Sequence, residues 1–405
     1  SGGVDYTGII YADAALEFYP AEEREAVPAT PDVVIPLPDA AGGAATLNGT
    51  ASLLSQSVTL PRNTERVYLD VIAQSQSNDE FWYTCVPNDV AAELQSCGNT
   101  AFRETEITVD GVAAGVAPVY PWIYTGGIDP YLWAPIPGVQ TLDFPPYRVD
   151  LTPFAGLLAD GNPHTLGISV YNADGYFLAT ANLLAFSDPH AAQVMGGVSK
   201  NTLAAPAPAV TENVATDASG NISGSVLVTS ARSYVIEGWV EGSRGRVVTR
   251  IESTLGFSNT QAFTITASQY VQNVTQSTTL DSTTSVEAGG RTMSVEAHLS
   301  YPFTLGYSQI ANPDGTLSIT TTSEQQDWDT RLDRSRSDGK LQEHDTVSAV
   351  DTLQIDATGA VSGHTGTSSQ HYVSIGPKHA CFDRSIAASA GVLTTAVDAV
   401  ACRSP

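Results

Sequence analysis

The run Asn78-Asp79-Glu80-Phe81-Trp82-Tyr83-Thr84-Cys85-Val86-Pro87 places two adjacent carboxylates beside three consecutive aromatic rings. A carboxylate can take a proton from water or give one to a leaving atom, and a ring can cover the C–H face of a sugar. Read as a strand, the run sets Asp79, Phe81 and Tyr83 on one side and Glu80, Trp82 and Thr84 on the other, so only one of the two acids faces a given cleft. Phe102-Arg103-Glu104-Thr105-Glu106 adds a guanidinium and further acids, and Trp122, Tyr124, Tyr131 and Trp133 cluster around Gly126-Gly127. Hydrolysing an amide or glycosidic bond without metal or thiol needs a base to activate water and a donor for the leaving atom or the oxyanion. A carboxylate pair with an Arg supplies both, each well-placed acid or base group being worth about 10²–10⁴ in rate. The competing reading of the same residues is structural, with rings as core and Arg103 as ion-pair partner of Glu104 or Glu106.

Other chemistries lack their signatures. There is no Gly-x-Ser-x-Gly elbow, no phosphate-binding Gly-rich loop and no His-Glu-x-x-His. His364, His371 and His379 lack ligand spacing, so neither a metal nor a cofactor is expected. The four cysteines form two sequence-local pairs, Cys85 with Cys97 and Cys381 with Cys402, and local bridging leaves no thiol nucleophile. Even pairing, a chain with lysine only at Lys200, Lys340 and Lys378, and Asn-x-Ser/Thr sites at Asn48, Asn221 and Asn273 fit a secreted or periplasmic protein. The first residues carry no basic start or apolar signal core, so an export signal is expected to have been removed. A formal charge of −25 makes nucleic acid and anionic membranes poor partners and suits acidic surroundings, where carboxylates neutralise. No apolar run is long enough to span a membrane.

The elements that must position these residues are strands. Arg66 to Ile72 alternates with Val67, Leu69 and Val71 on one face, and Ile107 and Val109 lead through the Asp110-Gly111 turn into Val112 to Val116. Asp160-Gly161-Asn162-Pro163 marks another turn before strands at Thr165 to Tyr171 and Phe177 to Phe186. Helix is confined to short turns at Asp89 to Gln95 and Pro153 to Leu158. An Ala-Pro run between Asn201 and Gly220 separates two β units, expected at 1–200 and 201–405, with most of the chemistry in the first.

Taken together and in order, Asn78 to Thr84, Phe102-Arg103-Glu104, Trp122-Ile123-Tyr124-Thr125-Gly126-Gly127-Ile128, Leu132-Trp133-Ala134-Pro135-Ile136 and Asp150-Leu151-Thr152-Pro153-Phe154 resemble the A-type peptide N-glycosidases. These plant, fungal and acid-active bacterial enzymes release N-glycans from glycopeptides. The likeness runs on through Asp160 to Asn172, Ile236 to Val240 and Ser243-Arg244-Gly245. A fainter likeness to the first jelly roll of the flavobacterial peptide N-glycosidase matches Arg103 by position, but Phe102 stands where that enzyme has its catalytic Asp.

The resemblance implies an all-β fold of two jelly-roll-like antiparallel β-sandwiches side by side. It also implies hydrolysis of the amide between the innermost N-acetylglucosamine and asparagine, giving a glycosylamine and an aspartate. Asp79 or Glu80 is then expected to activate water, Glu104 to be the second carboxylate, and Arg103 to contact the carbonyl or sugar. Trp82, Tyr83, Trp122, Tyr124 and Trp133 are expected as walls for the chitobiose core, with His164 and Asn172 as edge contacts. The expected partner is an N-glycopeptide or denatured glycoprotein, acted on by a monomer. A non-catalytic glycan-binding sandwich or a glycoside hydrolase using the same acids are the alternatives.

Overall fold

The computed structural model describes residue 15 and residues 30–334, 339–376, 380–399 and 401–402. Lys378 and His379 lie outside the described residues. The chain is antiparallel β throughout, as expected. Its first nine strands are β1 (Val33–Leu37), β2 (Ala45–Leu47), β3 (Leu54–Val58), β4 (Thr64–Gln76), β5 (Glu104–Val109), β6 (Val112–Pro118), β7 (Tyr147–Asp150), β8 (His164–Tyr171) and β9 (Tyr176–Ser187). They form two sheets, one ordered β1-β9-β4-β7 with β2 also on β9, the other ordered β3-β8-β5-β6. Alternation drives the assembly: Val67, Leu69 and Val71 on β4 meet Ile107, Leu166, Ile168 and Leu183 in a continuous core. Each such side chain contributes about 1.5–3 kcal/mol when fully buried. Asp110 and Gly111 take φ of 49° and 77° and close the expected hairpin between β5 and β6.

The remaining strands are β10 (Met195–Asn201), β11 (Ala209–Thr216), β12 (Ile222–Gly242), β13 (Gly245–Thr266), β14 (Gln269–Ala288), β15 (Arg291–Ala311), β16 (Leu317–Asp333), β17 (Lys340–Ile355), β18 (Val361–Ile375), β19 (Cys381–Ser389) and β20 (Val392–Asp398). All eleven join one sheet, and β12 to β20 follow one another in chain order. Tight turns such as Gly289-Gly290, at φ 57° and 73°, send each strand straight back beside its predecessor.

The long sheet holds the sandwich through buried side-chain amides. Asn259 and Gln261 donate to the carbonyls of Tyr83 at 2.9 Å and Cys85 at 2.8 Å, and Gln272 donates to that of Thr84 at 2.9 Å. Gln325 donates to the carbonyl of Pro121 at 3.0 Å and accepts from the amide of Val139 at 3.1 Å. Loop backbone buried between layers must find such partners, and each bond is worth about 1 kcal/mol. Both expected disulfides, Cys85–Cys97 and Cys381–Cys402, are present.

Candidate active site

Residues 77–84 fold as two short 3-10 turns, Ser77–Asp79 and Trp82–Thr84, so the strand alternation of the acids and rings does not apply. Ser77 ends β4 by turning to φ 55°, and the Cys85–Cys97 bridge and Pro87 keep the chain from extending again. The turn drives Asp79 inward and leaves Glu80 partly exposed.

Asp79 and Arg103 come together as the sequence led us to expect, but as a sealed ion pair. Arg103 Nε donates to Asp79 Oδ1 at 2.8 Å with neither side chain exposed. Asp79 Oδ2 accepts from the amides of Asp174 and Gly175, both at 2.9 Å. Arg103 Nη1 donates to the carbonyls of Asn99, Thr100 and Phe102 at 3.2, 3.0 and 2.9 Å, while Nη2 is buried without a partner. Burial lowers the Arg103 pKa, and Asp79 opposes that shift. Asn172 lies beside the pair, donating to the Asn99 carbonyl and, at 3.0 Å, to Thr100 Oγ1. Ser77, Asn99, Thr100 and Asn172 hold φ of 55°, 70°, 58° and 62°, so four non-glycine residues in left-handed conformations surround one buried ion pair. Such strain costs about 1–3 kcal/mol per residue and gathers at functional sites.

Of the expected acids, Glu80 alone reaches solvent, and partial burial raises its pKa. Beside it the Tyr124 hydroxyl donates to the Ser75 carbonyl at 2.7 Å and accepts from Gln76 Nε2 at 3.2 Å. Burial chiefly pushes this phenol up to about 12, with the Glu80 charge adding to the effect. Glu104 does not join the cluster. Arg232, on β12, pairs with it across the sandwich–sheet interface. Burial pushes Glu104 up to about 7 despite the guanidinium. Arg232 lies 128 residues away and carries no local signal, so sequence reasoning missed it.

The expected sugar-binding rings are mostly core. Trp82, Tyr83, Trp122 and Trp133 are 0, 0, 5 and 3% exposed. Trp82 packs on Phe257 at 6.3 Å and Tyr83 on Phe303 at 4.9 Å, both from the long sheet, because the loops carrying them are trapped between layers. Tyr124 is half-buried. His164, 7% exposed, bridges Asp110 at 2.7 Å and Asp160 at 3.1 Å at the β5–β6 turn, which makes it a structural link.

A second feature has no sequence motif. A cavity of about 1100 Å³ opens between the sandwich and the long sheet, with Tyr68, Tyr147 and Asp150 on one side and Tyr234, Tyr301, Asp327 and Asp345 on the other. Glu80, Asp79 and Arg103 do not line it. Burial, helped by the neighbouring acids, pushes Asp327 up to about 7, and burial pushes Asp345 up to about 6. Both lie in polar strands rich in Ser, Thr and Gln, where only the spacing of Asp327 and Asp329, and of Glu343 and Asp345, hints at a shared face.

Against known proteins, the family model for peptide N-acetyl-β-D-glucosaminyl asparaginase amidase A matches residues 3–203. The chain is similar to peptide-N4-(N-acetyl-β-glucosaminyl)asparagine amidase A of Prunus dulcis, with 32% identity over 273 residues. That match covers 63% of this chain and 47% of the almond protein, so the chain spans about half the length of this curated relative. No solved structure gives a significant match. The matched segment, just under half of the chain, contains Asp79, Glu80, Arg103 and Asn172, so the similarity to the peptide N-acetyl-β-D-glucosaminyl asparaginase amidase A family extends over the buried ion pair and its neighbours.

Proposed function

We propose that this protein hydrolyses the amide between the innermost N-acetylglucosamine and asparagine of N-glycopeptides, releasing the glycan as a glycosylamine and leaving aspartate. The family match over residues 3–203 carries this reading. Within that segment the loop cluster around Asp79 and Arg103 is the candidate centre, and Glu80 is its water-accessible carboxylate. Glu80 takes a proton from the attacking water as its oxygen bonds to the asparagine carbonyl carbon, and then returns that proton to the sugar nitrogen as the C–N bond breaks, which restores the carboxylate. The Asp79–Arg103 pair positions Glu80 by fixing the turn it sits on. Two disulfides fit an oxidising compartment, and we place the protein outside the cytosol, acting as a monomer on glycopeptides or denatured glycoproteins.

Incubation with a defined glycopeptide, followed by weighing the peptide, tests the reading. Asparagine converted to aspartate is the expected product. Asparagine retaining one sugar indicates a glycosidase, and an unchanged glycopeptide indicates a lectin; either sinks the amidase. Glu80→Gln is expected to lower turnover about 10²–10⁴-fold, and parental turnover in that variant would remove Glu80 from the mechanism.

A further inference from the structure

We propose that the cavity between the sandwich and the long sheet is a binding site for a neutral oligosaccharide, the outer part of the glycan whose root is cleaved elsewhere. The proposal rests on the amidase reading for the identity of the glycan, but its geometry stands apart from the catalytic loop cluster. The roughly 1100 Å³ of the cavity matches the upper range of small-ligand sites, which run from about 300 to 1,000 Å³.

One end of the cavity is built for hydrogen bonding beyond what the protein uses. Asp327 pairs in register with Asp345, and Asp329 with Glu343, so two adjacent strands carry four carboxylates in a block. Directly opposed like charges destabilise a sheet, and only part of the block is neutralised from within. Asp329 is held by Arg331 at 2.8 Å, Glu343 accepts from the Tyr372 hydroxyl at 3.2 Å, and Asp345 accepts from Gln370 at 2.9 and 3.0 Å. Asp327 Oδ2 accepts from Gln140 at 2.5 Å, while its Oδ1 has no hydrogen-bond partner among the described residues.

Tyr301 is the independent observation. It is 6% exposed, lines the cavity on β15 beside Asp327, and feels the charges of Asp327, Asp329 and Arg331. Yet its hydroxyl makes no hydrogen bond with any described residue and is not among the sealed polar atoms, so it opens into the cavity as a donor free for a ligand. A free phenol donor beside a free carboxylate acceptor fits one vicinal pair of sugar hydroxyls. Its ring, set edge-on to Tyr120 at 4.8 Å, adds an apolar surface for the sugar face. Acids outnumber arginines along the lining, so toward neutral pH, where these acids ionise, sialylated and phosphorylated glycans are disfavoured and neutral ones accepted.

The test uses the full chain, a neutral oligomannose glycan, its sialylated counterpart and the corresponding glycopeptides. Calorimetry at about pH 7.5, above the raised pKa values of Asp327 and Asp345, is expected to show binding of the neutral glycan at least tenfold tighter than of the sialylated one. Tyr301→Phe removes only the unpartnered hydroxyl, so a purely structural role leaves the fold equally or more stable and binding unchanged. The proposal expects about fivefold weaker binding, with KM for the glycopeptide raised and kcat retained. Asp327→Asn checks the acceptor in the same way. Parental affinity and KM in both variants would overturn the site while leaving the amidase intact. If the protein cleaves no glycopeptide, the amidase reading falls, and the Tyr301→Phe binding ratio still decides the site. No measurable binding of the neutral glycan overturns it outright.

Discussion

At the scale of single residues, adjacent acids have been put in opposite surroundings by one turn of backbone. Asp79 is enclosed by two backbone N–H donors and a buried guanidinium, whereas Glu80 is partly exposed. The chemical types and their closeness were legible in the sequence, but the difference in surroundings was not, because it depends on a 3-10 turn where alternation had been assumed. The partner of Arg103 was also hidden: Glu104 and Glu106 were nearest in sequence, and Asp79 won because β4 and β5 converge at their loop ends. Asp79→Asn leaves Arg103 buried beside a neutral amide, and truncating one partner of a buried pair costs about 3–5 kcal/mol. Urea unfolding should show most of that loss for Asp79→Asn and little for the half-exposed Glu80→Gln. Equal stability in the two variants would mean that the Asp79–Arg103 contact does not fix the turn.

At the scale of elements, the sandwich was readable and the long sheet only partly so. Period-two hydrophobicity and the Asp110-Gly111 turn gave β4, β5 and β6, since there one face is apolar and the other polar. On β14 the buried positions are Gln272, Val274, Gln276 and Leu280, so amides share the inner face with aliphatic side chains and the pattern fades. Gln272 donates to the Thr84 loop carbonyl, and Gln276 accepts from Asn259, which itself donates to that of Tyr83, a requirement that exists only after folding. The joint between the layers depends on close backbone approach at Gly238 of β12, where an added Cβ would lie 1.8 Å from the Pro153 carbonyl oxygen. Gly238→Ala must therefore push Pro153 away, at a cost of about 1–3 kcal/mol or more. Gly197→Ala on neighbouring β10 meets nothing within 4 Å and serves as its control. A lowered urea midpoint for Gly238→Ala alone is the expected result, and equal midpoints would show that the layers do not meet through this contact.

At the scale of the whole molecule, charge and burial combine into a preference for acid. A carboxyl whose folded pKa lies above its unfolded value stabilises the fold below the unfolded pKa and loses that contribution as pH rises through the folded one. Burial places Glu104, beside Arg232 and Glu106, in this class with a window from 4.5 to about 7. Asp327, facing Asp329, Glu343 and Asp345, loses its contribution between 3.8 and about 7, and Asp345, near His371, between 3.8 and about 6. His164 acts in the same direction: burial is the largest single effect on it and lowers its pKa, but Asp110 and Asp160 together outweigh burial and raise it. Asp160 and Asp188 oppose the trend only lower down, being held at about 2 by hydrogen bonds from backbone amides and neighbouring side chains, so their contributions disappear as pH falls from 3.8 through 2. The formal charge of −25 adds self-repulsion toward neutrality. Thermal unfolding should therefore give its highest midpoint near pH 4 to 5 and fall steadily toward pH 7.5. Asp327→Asn, which keeps the amide-sized side chain and removes the titration, should flatten that fall. A midpoint that rises from pH 5 to 7.5, or a slope unchanged by Asp327→Asn, would show that these buried acids do not set the acid preference of the fold.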